Sequence, residues 1–159
     1  MPARKLKQFL DGFGVKYEVL PHAPTYTAQE TAQATHVSGV ELAKTVIVRI
    51  DGKTVMAVVP ATHHVDLDLL RRTASAMEVD LVPEHEFEQL FAECEPGAMP
   101  PFGNLYGMDV YVAKALSEDK EIVFNAGSHT EAIRISYADY DRLVSPKVAP
   151  ISHATAGAY

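Results

Sequence analysis

Apolar positions recur along this chain with two periods, and the alternation between them sketches its elements. Leu6, Phe9, Leu10 and Phe13 fall at i, i+3, i+4 and i+7, the stripe of an amphipathic helix, and Gly12 and Gly14 supply its stop. Val15 to Pro21 alternates as a strand does. Thr27 with Glu30, and Ser38 with Glu41, have capping-box spacing, which predicts a short helix at each. Lys44 to Ile50 and Lys53 to Val59 are rich in β-branched residues and flank Asp51-Gly52, the strongest hairpin signal in the chain. Leu67, Leu70 and Ala74 give helical spacing within Val65 to Met77. Glu78 to Val82 reads as a short strand, and Pro83 opens a helix predicted to reach about Ala92. Met108 to Ala113, Glu121 to Phe124 and Ala132 to Ile135 read as strands. Ser136 with Asp139 marks a last helix ending near Val144, and from Ser145 two prolines and small residues predict an irregular tail. Hairpins with interspersed helices and no internal repeat favour an α+β fold over a doubly wound parallel sheet. The expected organisation is one compact domain over residues 1–145 and a tail over 146–159.

Composition narrows the function classes. At 159 residues and 47% apolar content the chain can bury one core, and its longest apolar run, Val55 to Ala61, is far too short to span a bilayer. The first residues, Met-Pro-Ala-Arg-Lys, lack a secretory apolar stretch, and one cysteine, Cys94, excludes an intramolecular disulfide; both predict a cytoplasmic protein away from membranes. The net charge of −7 argues against a DNA-coating surface, but its distribution qualifies that. From Thr73 to Ala113 there are eight acids and no Lys or Arg, so the remaining 13 acids face all 14 basic residues. Arg4, Lys5, Lys7 and Lys16 lie near the N-terminus, as a solvated helix face or as a small contact for a nucleic-acid end.

Three places carry residue types suited to chemistry. Between Cys94 and Gly103 lie three prolines and two glycines, including Gly97, Pro101 and Gly103. A stiff loop of this kind can present backbone amides to a ligand, as an oxyanion hole does, or serve as a plain connection. Asn125-Ala126-Gly127-Ser128-His129 allows close backbone approach and offers hydrogen-bonding side chains, and a tight strand-to-strand turn explains it equally well. Lys44 leads an otherwise apolar strand, so its ammonium either reaches solvent or enters a cleft, where it would suit a phosphate or a developing oxyanion. Metal signatures are weak: His63 and His64 are adjacent and would point to opposite faces of a strand, and no His-Glu-x-x-His or paired cysteines occur. Phosphate-loop and dinucleotide motifs are absent too, and Cys94 has no local activating group.

With these three places in order, the chain resembles the YbaK family, the editing domains associated with prolyl-tRNA synthetase. The resemblance rests on Pro21-His22 followed by Tyr26 to Ala32, on Ala43-Lys44-Thr45 opening the hairpin, on Gly97-x-x-x-Pro101 with Phe102-Gly103, and on Phe124 to His129, spread over about residues 5 to 145. It implies a single α+β domain with a curved mixed sheet and surrounding helices. It also implies a free-standing deacylase that hydrolyses the ester between a wrong amino acid and the 3′-terminal adenosine of a tRNA. By resemblance, Lys44 holds the terminal phosphate region, the Gly97 to Pro101 loop places amides near the ester carbonyl, and Gly127, Ser128 and His129 border the same pocket. Tyr26, Thr27, Val46, Met99, Phe102 and Gly103 are the candidates for its walls.

An aminoacyl ester is already activated, so orienting a water and stabilising the tetrahedral oxyanion would suffice, without metal, cofactor or covalent nucleophile. The expected partner is the acceptor end of aminoacyl-tRNA, with a synthetase or an elongation factor as a further one. Alanine, serine, cysteine and threonine remain open as the edited residue, since one methylene or hydroxyl is worth only ~1–3 kcal/mol. Two rivals stay open as well: a non-catalytic tRNA- or synthetase-binding adaptor of the same fold, and a small-ester hydrolase working through Ser128 and His129.

Overall fold

The computed structural model describes residues 4–25, 28–95 and 97–154. In chain order the elements are α1 (Arg4–Gly12), β1 (Glu18–Pro21), α2 (Ala28–Ala34), β2 (Leu42–Ile50), β3 (Lys53–Pro60), β4 (His63–Val65), α3 (Leu67–Thr73) and β5 (Val79–Leu81). Then follow α4 (Glu84–Phe87), continued by a 3₁₀ turn over Glu88–Phe91, and a second 3₁₀ turn over Gly103–Tyr106. The chain ends with β6 (Val110–Ala113), α5 (Lys114–Ser117), β7 (Glu121–Ser128), β8 (Glu131–Ser136), α6 (Tyr137–Val144), β9 (Lys147–Ala149) and β10 (Ser152–Ala154). No helix among the described residues is long and apolar enough to cross a membrane.

Local chemistry explains the elements that the pattern predicts. Asp51 and Gly52 take φ of 49° and 83°, the pair of positive values a two-residue hairpin turn requires, and β2 and β3 pair in register from Ala43↔Pro60 to Ile50↔Lys53. Ser136 caps α6, its Oγ accepting from the Asp139 amide at 3.1 Å, and Asp66 caps α3 by accepting from the Leu69 amide at 2.9 Å. Other expectations need correction. Ser38 starts no helix: the amides of Glu41 and Leu42 both return to its carbonyl, and the chain then enters β2. The helix from Pro83 is broken after one turn into a 3₁₀ segment. Residues 147–154 of the expected irregular tail form strands, because β9 joins β6 in parallel and β10 pairs with β4. Three-residue strands next to prolines show no alternation of their own; their partners make them strands.

The main sheet runs β1-β8-β7-β2-β3-β6-β9 and is mixed, with β2–β7, β3–β6 and β6–β9 parallel. Its two faces bury separate clusters. On one face Ala43, Ile47, Met56, Val58, Val112, Ile122, Phe124 and Ile133 pack with Leu6 and Leu10 of α1, Phe87, Phe91 and Tyr140. On the other, Val48, Val55, Ala57, Val59 and Leu70 form one cluster, and Leu42, Val123, Ala132 and Ala32 form another. Strand alternation puts Lys44, between Leu42 and Val46, at the join of those two clusters.

One feature of the topology positions the site. Strand β2 has β3 along one edge, but its other edge is shared: β7 pairs only at Leu42↔Val123 and Ala43↔Phe124, and β5 only at Val48, Arg49 and Ile50. The two neighbours diverge, and β2 is left open between them from Lys44 onward, until the Val82 amide reaches the Ile47 carbonyl at 3.1 Å.

Candidate active site

Lys44 is the first residue past the last β2–β7 pair, and Asn125 is its counterpart on β7. Both lie on the face that carries Leu42 and Val123. Lys44 is half-buried and makes no hydrogen bond or ion pair among the described residues, and burial lowers its pKa from the usual lysine range. The Asn125 side-chain oxygen is buried and has no donor among the described residues. An ammonium without a counter-ion beside an unsatisfied amide is costly in an apolar setting, and such a pair belongs where a ligand completes it.

Two residues further along β7, the chain departs from regular strand. Register shifts between Asn125 and Ser128, and Gly127 takes φ of 95°, which favours glycine. Asn125 to Ser128 is therefore a bulged strand end rather than the turn, which falls at His129 and Thr130. The bulge docks the proline-rich loop. The Glu95 amide donates to the Gly127 carbonyl at 2.7 Å, the Gly127 amide donates to the Ala98 carbonyl at 2.9 Å, and the Glu95 carboxylate accepts from the His129 amide at 2.8 Å. Gly97, at φ of 82°, has its Cα hydrogen directed at His129, where a Cβ would stand 3.6 Å from Cε1. Gly97, Gly127 and His129 thus form one cluster. Lys44 lies one residue past the last β2–β7 pair, level with Asn125, and Gly127 follows two residues further along β7.

Within the loop the Ala98 amide turns back to the Glu95 carbonyl, while the amides of Gly97 and Met99 donate to no acceptor among the described residues. Pro101 is held from behind: the buried Tyr140 hydroxyl donates to its carbonyl at 2.6 Å. Phe102 is sealed beneath it among Phe9, Phe124 and Tyr140, with ring centroids 5.3–6.1 Å apart. Met99 and Phe102 belong to the cluster on the sheet face away from Lys44, so they anchor the loop and Phe102 has no exposed surface to offer a ligand. Gly103 has a packing reason: a Cβ there would come within 2.6 Å of Val110 and 2.8 Å of the Met108 carbonyl. Val46 shares the face of Lys44 and packs against the second cluster. Tyr26 and Thr27 lie outside the described residues.

Ser128 offers no sign of an activated nucleophile. Its hydroxyl lies 3.2 Å from that of Thr130 and also accepts weakly from the Thr130 amide, so it closes the turn. Cys94 is not activated either, since burial pushes its thiol up and the Tyr106 hydroxyl at 3.6 Å only partly offsets this. No three His, Cys, Asp or Glu among the described residues converge as a metal site would need. Sequence reading missed Asn125 as an individual residue, Tyr140 and Glu95. Their importance comes from partners 39 and 34 residues away for the last two, and from a strand register for the first.

Comparison with known proteins shows the family and the fold. Residues 22–143 match the aminoacyl-tRNA editing domain family. The chain is 24% identical over 150 residues to the multifunctional Ser/Thr-tRNA deacylase ProXp-y of Escherichia coli K12, covering 91% of this chain and 89% of that protein, and the counterpart from Escherichia coli O157:H7 gives the same figures. Among solved structures, hypothetical protein APE2540 superposes with a TM-score of 0.85 at 22% identity, covering 94% of this chain and all of the other. A candidate trans-editing enzyme for prolyl tRNA synthetase superposes with a TM-score of 0.82 at 22% identity, covering 96% of this chain and 98% of that one. At such identities the structural likeness speaks for the fold.

Proposed function

The chain belongs to the aminoacyl-tRNA editing domain family, and from that premise we propose that it is a trans-editing hydrolase that deacylates mischarged tRNA without metal or covalent intermediate. Water adds to the carbonyl carbon of the aminoacyl ester, and the tetrahedral oxyanion collapses by breaking the bond to the 3′ oxygen. That oxygen takes the proton the water gives up, relayed through the neighbouring 2′ hydroxyl of the ribose. Free amino acid and uncharged tRNA result. The reading is carried above all by the two loop amides, of Gly97 and Met99, that donate to no acceptor among the described residues. A pair of preorganised donors suits an oxyanion, and one such donor is typically worth ~10²–10³ in rate. Lys44, half-buried without a counter-ion, supplies the charge that holds the terminal phosphate region of the acceptor end.

The deacylase activity of the Escherichia coli relatives supports the reaction class, and serine and threonine head the order in which amino acids should be tried. A serine-hydrolase mechanism fits the geometry less well, because the Ser128 hydroxyl is engaged by Thr130. The two mechanisms part on Ser128→Ala and on a serine-directed phosphonate. Editing by oriented water predicts deacylation within a few-fold of wild type in the variant, and no covalent phosphonate adduct by mass spectrometry. Abolished turnover together with a stoichiometric adduct would overturn the water mechanism.

A further inference from the structure

We infer that His63 is a further substrate contact, a titratable group that binds a phosphate oxygen of the acceptor strand beside Lys44, and that β10 serves to hold it there. The inference rests on the editing reading above, whose Lys44 faces that phosphate region. The backbone brings His63 to the site. After β3 the Ala61 amide donates to the Leu42 carbonyl at 2.7 Å, tying the chain to the start of β2, and His63 opens β4 within electrostatic reach of Lys44. The ring is then fixed from the far end of the chain. Its Nδ1 lies 2.8 Å from the Ser152 hydroxyl, and β10 pairs with β4 at Ser152↔Val65, His153↔His64 and Ala154↔His63. Ser152 thereby occupies one ring nitrogen and leaves Nε2 for a ligand.

Charge identifies that ligand. The titratable and charged groups that act on His63 are Lys44 from β2, His64 from its own strand and His153 from β10. No carboxylate is among them, and the nearby Asp66 is engaged by His153 at 2.7 Å. Burial, followed by Lys44, holds the imidazole pKa below the ordinary histidine range. A protein of net charge −7 that holds a lysine and a histidine within electrostatic reach of one another, both partly buried and with no carboxylate among the described groups acting on the histidine, has left room for an anion. On an aminoacyl-tRNA the available anion is a backbone phosphate.

A bound phosphate favours the imidazolium, so it raises the pKa that the empty site depresses. Between the free and bound values, binding takes up a proton, and affinity weakens as pH rises, at most tenfold per pH unit for one group. The test is the affinity of uncharged tRNA at pH 6.0 and 7.5, with inorganic phosphate as a separate competitor, for wild type, His63→Gln and Ser152→Ala. Wild type should bind about fivefold more weakly at pH 7.5. His63→Gln should show less than about a twofold change and bind throughout as wild type does at the higher pH. Ser152→Ala, which keeps the imidazole but frees it, should fall between. Phosphate alone competing as well as tRNA would mark a free-phosphate site and overturn the inference. So would both variants keeping the full wild-type pH dependence. Deacylation is measured in parallel. If wild type hydrolyses mischarged tRNA while the pH dependence ignores His63, only this inference fails. If tRNA binding follows His63 but no ester is cleaved, the phosphate contact stands and the catalytic reading fails.

Discussion

Lys44 is costly to the fold, and on the proposed reading it is necessary to the site. Its pKa is lowered by burial, so the native state holds that proton less tightly than the unfolded chain. The destabilisation is fully present below the folded pKa and fades as pH rises towards the unfolded value, so this residue makes stability climb with pH in the alkaline range. Lys44→Met keeps the stem and removes the charge. It should stabilise the fold at pH 7 by about 1 kcal/mol or less, because part of the side chain meets solvent, raising the melting temperature, and it should abolish deacylation. Thermal melts at pH 7 and pH 10 check it, and the gain should shrink at the higher pH. A variant less stable than wild type at pH 7 would show that the ammonium has a partner in the fold. Lys44 was legible in the sequence because a charge leading an apolar strand stands out. His63, Asn125 and Tyr140 were not, because each gains its meaning from contact. Ser152 is 89 residues from His63, and the sequence only set His63 aside as a poor metal ligand.

The elements divide in the same way. Asp51-Gly52 and the Ser136 cap act through their immediate neighbours, and the hairpin and α6 appear where the pattern puts them. The end of β7, β9 and β10 depend on distant partners, and glycine and proline disguise them as turn and tail. The docked loop is the element on which the chemistry hangs. Gly97 is required by its backbone, since φ of 82° costs an L-residue about 1–2 kcal/mol, whereas its missing Cβ would meet only an ordinary contact at 3.6 Å. Gly97→Ala should therefore unsettle the adjacent open amides more than the fold. Stability should drop by about 1–2 kcal/mol and kcat/KM for deacylation by about tenfold to a hundredfold. Gly14→Ala is the control: at φ of 65° with open space around it, it carries a similar backbone strain and should leave kcat/KM unchanged. Equal losses of activity in the two variants would mean that Gly97 acts only through stability.

At the scale of the whole molecule, fold and chemistry meet at a divergence in the sheet. Strand β2 cannot pair with both neighbours along its full length, and the opening left at Lys44 faces the bulge of β7 that carries the loop. The resemblance seen in the sequence and the family match over residues 22–143 agree on the family. The acidic run from Glu78 to Glu95 ends at that loop, so on the proposed reading the grip on tRNA is confined to the acceptor end. What the sequence could not convey is which loop amides stay open, because that is decided by the bonds Glu95, Ala98 and Gly127 make with one another. The most direct test is deacylation of alanyl-, seryl-, cysteinyl- and threonyl-tRNA by wild type and Lys44→Ala, each with and without EDTA. The account predicts selective hydrolysis of at least one of the four, lost in Lys44→Ala and unchanged by EDTA. Wild-type rates equal to the uncatalysed rate across the panel would contradict it, and activity that EDTA abolishes would contradict the metal-free mechanism.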